Sequence, residues 1–279
     1  MRNQPYFDPK PRRYPFPELT DQHYLVVKKD RGIVFDEKYP YIDHSKTFLR
    51  KQWWTRLLLR TIVFPMTKVK LSLRIKGKEN LKKYKDVIQN GVVGVSNHVN
   101  MWDYLAILSA VKPKHPGLIA WAKNVNGESG TLVRLVGGIP IPEKNFKATK
   151  AFMETVVDHV KNGGFLQIYA EGSMWEYYAP IRPFKSGAAY FSVKSGKPIL
   201  PMAFSYRKST WIRRLFGPLA SLTLTIGEPL YPNTDLNGID AENDLTKRAH
   251  DEVCRLAGID PEKNIYPAVY NHDHRIDYY

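Results

Sequence analysis

The stretch VVGVSNHVNMWDYLAIL, residues 92–108, decides how this chain is read. Its opening, Val92–Val95, is apolar and mostly β-branched and reads as a buried strand. The strand pattern stops at Ser96-Asn97, and beyond Asn100 the pattern turns helical. His98 and Asp103 are thus delivered together to a strand-to-helix corner, where α/β proteins gather their chemistry. On a regular helix two side chains five residues apart point ~140° away from each other. The pair therefore meets only if part of 98–103 is a turn. In that geometry Asp103 accepts the Nδ1–H of His98 and leaves Nε2 as a general base. In a chain with eight histidines the spacing alone carries little. Its weight comes from the strand before it, from Asn97 beside it and from motifs downstream.

Outward from this corner, strands and helices alternate. Strands are expected at 69–75, 92–95, 118–121, 139–141, 165–169, 199–204 and 221–226, and helices at 102–111, 130–136, 149–161, 187–194 and 241–256. In 149–161, Phe152, Val156 and Val160 recur every four residues, and Gly163-Gly164 stops the run. This order predicts an α/β fold: a mostly parallel central sheet flanked by helices on both faces. No internal repeat interrupts it.

The start of the chain is different. Pro5, Pro9, Pro11, Pro15 and Pro17 make the first 44 residues an arm rather than a core. The run SKTFLRKQWWTRLLLRTIVFPM, residues 45–66, reads as a helix ended by Pro65. Trp54, Leu58 and Ile62 share one stripe and Arg56 and Arg60 another, although Arg50 falls on the apolar side and Leu59 and Val63 on the basic one. Two roles stay open, an interfacial membrane helix and a helix packed on the domain. The expected division is an arm and helix over 1–66, an α/β domain over 67–257 and a tail over 258–279 lying across the domain.

A net charge of +15 calls for an anionic partner: nucleic acid, an anionic membrane surface or a phosphorylated substrate. No zinc-finger, P-loop or RNA-binding signature accompanies it, so nucleic acid is not expected. The single cysteine, Cys254, has no partner for an internal disulfide and sits in a helical run, which predicts a buried thiol and a reducing compartment. The opening residues, Pro-rich and polar, do not read as a secretory leader. No run reaches the ~20 apolar residues that a spanning helix needs. A metal is not expected; His272-Asp273-His274 has no further ligands near it.

Three further blocks carry chemistry. In YAEGSMWEYYAPIRPFKSGAAYF, residues 169–191, a strand ends at Glu171-Gly172, the same kind of edge as His98. Arg182 and Lys185 then precede Ser186-Gly187, an expected helix start whose free N–H groups welcome a phosphate. In LVGGIPIPEKNF, residues 135–146, a glycine turn feeds a short strand with Lys144 beyond it. GKPILPMAF, residues 196–204, is a buried strand introduced by Pro198.

Together the four blocks resemble the glycerolipid acyltransferase family, which includes 1-acylglycerol-3-phosphate acyltransferases. The family's N-H-x4-D motif is met by Asn97, His98 and Asp103, its E-G motif by Glu171 and Gly172, and its F-K-x-G-A element by Phe184, Lys185, Gly187 and Ala188. Pro198, Ile199 and Pro201 match its proline-bearing strand, so the resemblance spans roughly residues 69–229. It departs in two places. An arginine usual after the glycine-strand block is replaced by Pro142-Glu143-Lys144, and E-G-T-R-S by Glu171-Gly172-Ser173-Met174-Trp175. In the family both arginines are associated with the acceptor's phosphate. Either Lys144, Arg182 and Lys185 take their place, or the acceptor is not lysophosphatidic acid.

The resemblance implies transfer of an acyl group from acyl-CoA or acyl carrier protein to the free hydroxyl of a lysophospholipid, in phospholipid biosynthesis and with no cofactor besides the donor. His98 and Asp103 are then catalytic, and Asn97, Lys144, Glu171, Gly172, Arg182 and Lys185 bind substrate. The bilayer origin of acceptor and product implies peripheral docking on the cytoplasmic face of an anionic membrane. Two rivals differ in kind. A serine hydrolase would use Ser96, although Gly94-Val95-Ser96-Asn97-His98 lacks the closing glycine of G-x-S-x-G. A non-enzymatic basic module would leave His98 and Asp103 dispensable.

Overall fold

Val92–Val95 is buried at every position because it lies inside the sheet and pairs on both sides. The computed structural model describes residues 27, 30–143, 145–209 and 220–264. The arm's prolines, Lys144 and the His272-Asp273-His274 tail lie outside those residues. Among the described residues one seven-stranded sheet is formed by β1 (Arg74–Lys76), β2 (Val92–Val95), β3 (Pro116–Ala120), β4 (Gly138–Pro140), β5 (Phe165–Ile168), β6 (Ile199–Arg207) and β7 (Ser221–Ile226). Its order is β1-β7-β6-β2-β5-β3-β4. From β6 to β4 every pairing is parallel, whereas β7 runs antiparallel to β6 with β1 parallel at its edge. The mostly parallel sheet is as expected.

Helices cover both faces: α1 (Lys46–Leu58), α2 (Phe64–Lys70), α3 (Lys78–Lys83), α4 (Lys85–Gln89), α5 (Asp103–Val111), α6 (Ala122–Asn126), α7 (Gly130–Leu135), α8 (Phe146–Lys161), α9 (Gly187–Ser195) and α10 (Gly238–Ala257). Successive strand residues alternate between faces. Val93, Val95, Leu166 and Ile168 pack with Phe152, Val156 and Val160 of α8 and Leu245 and Val253 of α10. Val92, Phe165, Leu200 and Met202 pack against Ala106 and Ile107 of α5. Gly94 lets β2 pack closely, since a Cβ there would meet Gln167 Oε1 at 2.6 Å and the Phe165 ring at 2.8 Å and force those side chains to shift. Cys254 is buried as expected, and burial pushes its thiol up to about 12.

Two sequence expectations fail near the start. Pro65 does not end the first helix. A π-helical turn, Leu59–Val63, precedes α2, and Pro65 falls in the first turn of that segment. A missing N–H costs nothing in such a first turn, so the helix runs on to Lys70. The strand expected over 69–75 is therefore cut to Arg74–Lys76. The short helices α3, α4 and α6 were not foreseen, because five or six residues hold too little periodicity to read.

The imidazole of His159, on α8, nests where Gly117 and Gly164 have no side chain; a Cβ on Gly164 would meet the ring at 2.4 Å. Burial, helped by the nearby charges of His115 and His44, lowers its pKa to about 4. The neutral ring is therefore the form that the fold holds. Its contribution is complete above the ordinary histidine value near ~6.5 and is lost as pH falls towards ~4, with a maximum of about 3 kcal/mol. Urea unfolding at pH 7 and at pH 4.5 is expected to show this loss. The His159→Gln variant should have a flatter dependence on pH over that window, and an unchanged one would remove His159 as its source.

Candidate active site

Where β2 ends, the chain is anchored before it turns. Ser96 accepts a hydrogen bond from Gln167 Nε2 at 3.1 Å. The Asn97 amide pairs with the Phe204 backbone as a strand would, donating to its carbonyl at 2.9 Å and accepting its N–H at 2.7 Å. Asn97 is 1% exposed, so its amide belongs to the scaffold and does not face a ligand. Residues 98–102 then turn, as the spacing requires. Asp103 N–H donates to the Asn100 carbonyl, and Trp102 N–H to Asn100 Oδ1.

That turn brings the dyad together. Asp103 Oδ2 lies 3.1 Å from His98 Nδ1 and also accepts the N–H groups of Val99 (2.7 Å) and Asn100 (2.9 Å). Asp103 is fully buried at the start of α5. Burial pushes its carboxyl up, against the His98 imidazole and the two amides, which pull it down. With Oδ2 as acceptor, the hydrogen-bond network assigns the proton to Nδ1 and the lone pair to Nε2. The His98 ring stacks on Tyr169, with centroids 3.8 Å apart and planes 10° from parallel. Its orientation is thus set from the edge and from one face. The side chain keeps 21% of its surface exposed.

The exposed part faces a cavity of about 1360 Å³. Apolar side chains make most of its wall, from Leu59 and Leu105 to the buried Phe152 and Phe191 in the interior. Glu128 and Lys185 are the other charged residues on the wall among those described. Lys185 is exposed at the start of α9, tied by its N–H to the Ala170 carbonyl. Gly172 lines the same space with φ +84°, a conformation that favours glycine. Lys144 lies outside the described residues.

Glu171 and Arg182 lie beneath the site instead of on its wall. They form a buried ion pair, 2.6 Å between Arg182 Nη2 and Glu171 Oε2, with side chains 1% and 2% exposed. Arg182 also donates to Ser173 Oγ at 2.8 Å and stacks its guanidinium over Trp175. Glu171 Oε2 in turn accepts the backbone N–H of His98 at 3.3 Å, and Oε1 that of Arg182 at 3.0 Å. Glu171 and Arg182, both expected to bind substrate, thus hold the turn that carries His98 from below. Trp175 and Tyr177 add N–H donors to the carbonyls of His98 and Val99, which straps residues 173–177 over that turn. Asn264, past α10, clamps Ile181 by both amide atoms, beside Arg182.

Tyr169, Ser173, Trp175 and Asn264 were not singled out from sequence. Tyr169 had a readable signal, since it ends the expected strand 165–169 two residues before Glu171. Asn264 had none, because its partner lies 83 residues earlier in the chain. No cluster of three or more His, Cys, Asp or Glu able to hold a metal occurs among the described residues. No described helix is long and apolar enough to cross a membrane.

Residues 72–205 match the family model described as Acyltransferase. Among solved structures, the chain resembles the 1-acyl-sn-glycerophosphate (LPA) acyltransferase PlsC from Thermotoga maritima. The identity is 19% and the TM-score 0.47, over 78% of this chain and 84% of that one. No curated protein matches the chain.

Proposed function

We propose, from the match of residues 72–205 to the acyltransferase family model, that the chain acylates the free hydroxyl of a lysophospholipid, 1-acylglycerol-3-phosphate being the first candidate. The observation that carries this reading is the His98–Asp103 dyad opening onto a deep, mainly apolar cavity. Such a cavity suits an acyl chain, and a base at its wall suits a hydroxyl brought beside that chain's thioester.

His98 Nε2 takes the proton of the acceptor hydroxyl as its oxygen attacks the thioester carbonyl carbon. The C–O bond forms and the carbonyl becomes a tetrahedral oxyanion. Asp103 holds the imidazolium by its Nδ1–H. Collapse breaks the C–S bond, and the imidazolium returns its proton to the leaving thiolate of coenzyme A or of the carrier protein's prosthetic group. No acyl-enzyme is required. Ser96, the hydrolase rival's nucleophile, is fully buried and bonded to Gln167, which argues against that reading.

Lys185 is the cation at hand for the acceptor's phosphate, and Lys144 is a second candidate. Arg182, paired with Glu171, is reassigned to the scaffold in this reading. Docking on an anionic bilayer is proposed through the first helix. Trp53, Trp54, Ile62 and Val69 there are 57%, 60%, 53% and 75% exposed, among basic residues. Exposed apolar surface on that scale needs a cover, and the substrate's own bilayer provides one.

The test is acyl transfer by the purified full chain, from labelled acyl-CoA and acyl carrier protein, to a panel of lysolipids in vesicles. Transfer to 1-acylglycerol-3-phosphate supports the reading. Transfer to another lysolipid alone would replace the acceptor. Hydrolysis of the donor without transfer would return the hydrolase.

A further inference from the structure

A second polar feature lies on the other side of the cavity wall. Arg56, Arg60 and Lys112 line a separate cleft of about 30 Å³, which shares Leu59 and Val136 with the large cavity. Such a space has room for roughly two water-sized groups. Arg60 and Leu59 belong to the π-helical turn, an irregularity that recurs at functional positions. Lys112, with φ +52°, closes α5 from the facing side.

The charges here are all of one sign. Arg56 and Arg60 are four residues apart, an arrangement that is unfavourable for like charges on a helix. The Arg56 side chain is half-buried and donates to Gln52 at 3.0 Å, while its Nε is buried without a hydrogen-bond partner among the described residues. Burial and the Arg60 charge both act against its protonated form. Lys114 and His115 extend the same field, and the charges acting on His115 are those of Arg56, Lys114 and His44. No carboxylate among the described residues pairs with Arg56, Arg60 or Lys112 in this structure. A cluster of like charges with one member, Arg56, partly desolvated is costly alone and is relieved by an anion.

We propose that this cleft binds the phosphate of an anionic phospholipid headgroup, as a site distinct from the catalytic one. The two free oxygens of a phosphodiester match the cleft in size and charge. The lipid source follows from position: Trp53 and Leu57, each three residues before one of the two arginines and so beside it on the helix, are 57% and 41% exposed. A headgroup in the cleft would leave its chains beside those residues. The docking part of the proposed function underlies this choice of source.

The test uses the full chain with vesicles of phosphatidylcholine alone or with one-quarter phosphatidylglycerol. Wild type should bind the anionic vesicles better. Arg56→Gln/Arg60→Gln should lose that gain by about a hundredfold or more, since a diffuse contribution is about fivefold per cation and only about 25-fold for two. Arg50→Gln/Lys51→Gln, which removes the same charge from the same helix outside the cleft, should lose clearly less. Lys112→Gln, off the helix, should follow the Arg56/Arg60 pair. Equal losses in the two double variants, or wild-type behaviour of Lys112→Gln, would overturn the site. Inorganic phosphate or free coenzyme A raising the Tm of wild type but not of the Arg56/Arg60 variant would overturn the lipid as source. Failure to bind either vesicle would remove the docking reading itself. Binding both equally would remove only the cleft.

Discussion

Acyl transfer by His98→Ala is expected to fall by about 10²–10⁴-fold at saturating donor and acceptor, the usual worth of a positioned general base. The fold should survive. His98 ties into the scaffold through its backbone, its N–H donating to Glu171 and its carbonyl accepting from Trp175, and neither bond needs the ring. Thermal unfolding should therefore move little while kcat collapses. Asp103→Asn should separate the two parts of the dyad. The amide leaves less negative charge beside Nδ1, so it should lower kcat with the imidazole still present. Its donor atom would also face the Val99 and Asn100 N–H groups if it took the place of Oδ2, so stability should fall too. Full activity in His98→Ala with intact folding would sink the mechanism, and with it the role given to Asp103.

The sequence disclosed the corner that pairs His98 with Asp103 because its signals were local. A β-branched run, a turn-forming Asn and a five-residue spacing all lie within residues 92–103, and they settled strand, turn and dyad. The parallel sheet was legible for the same reason, through alternation of short apolar runs with helical periods. What escaped was set by distant partners. Asn97 and Arg182 looked like ligands, being polar residues in motifs at a strand's edge. Their partners, Phe204 and Glu171, show that they are parts of the frame. Nothing in one dimension distinguishes a cation that meets a phosphate from one that meets a buried carboxylate eleven residues away. The π-helical turn was equally hidden. Proline in a helical pattern reads as a stop, and only the shifted hydrogen bonds of Leu59–Val63 make Pro65 tolerable.

Arg182→Ala is expected to destabilise the chain by about 3–5 kcal/mol, because it strands the Glu171 carboxylate in a site that is 3% exposed. For a chain of this size that is a fall in Tm on the order of 10 °C. Were Arg182 instead a ligand for the acceptor's phosphate, the loss would appear in the acceptor KM and leave Tm nearly alone. The double variant Glu171→Gln/Arg182→Met separates the charge from the shape. It removes both charges, so no unpaired carboxylate remains, and it should recover much of the stability that Arg182→Ala loses. It should not recover full activity. Glu171 Oε2 meets the His98 N–H and the guanidinium together, and Ser173, which lines the cavity, is held by that same guanidinium. A turn held by a neutral amide and no guanidinium would place Nε2 less rigidly, and misplacement by ~1 Å is enough to cost about a hundredfold in rate. A stable double variant with wild-type kcat would show that the ion pair serves the fold alone. A stable one with depressed kcat and unchanged acceptor KM would show that it also aims the base.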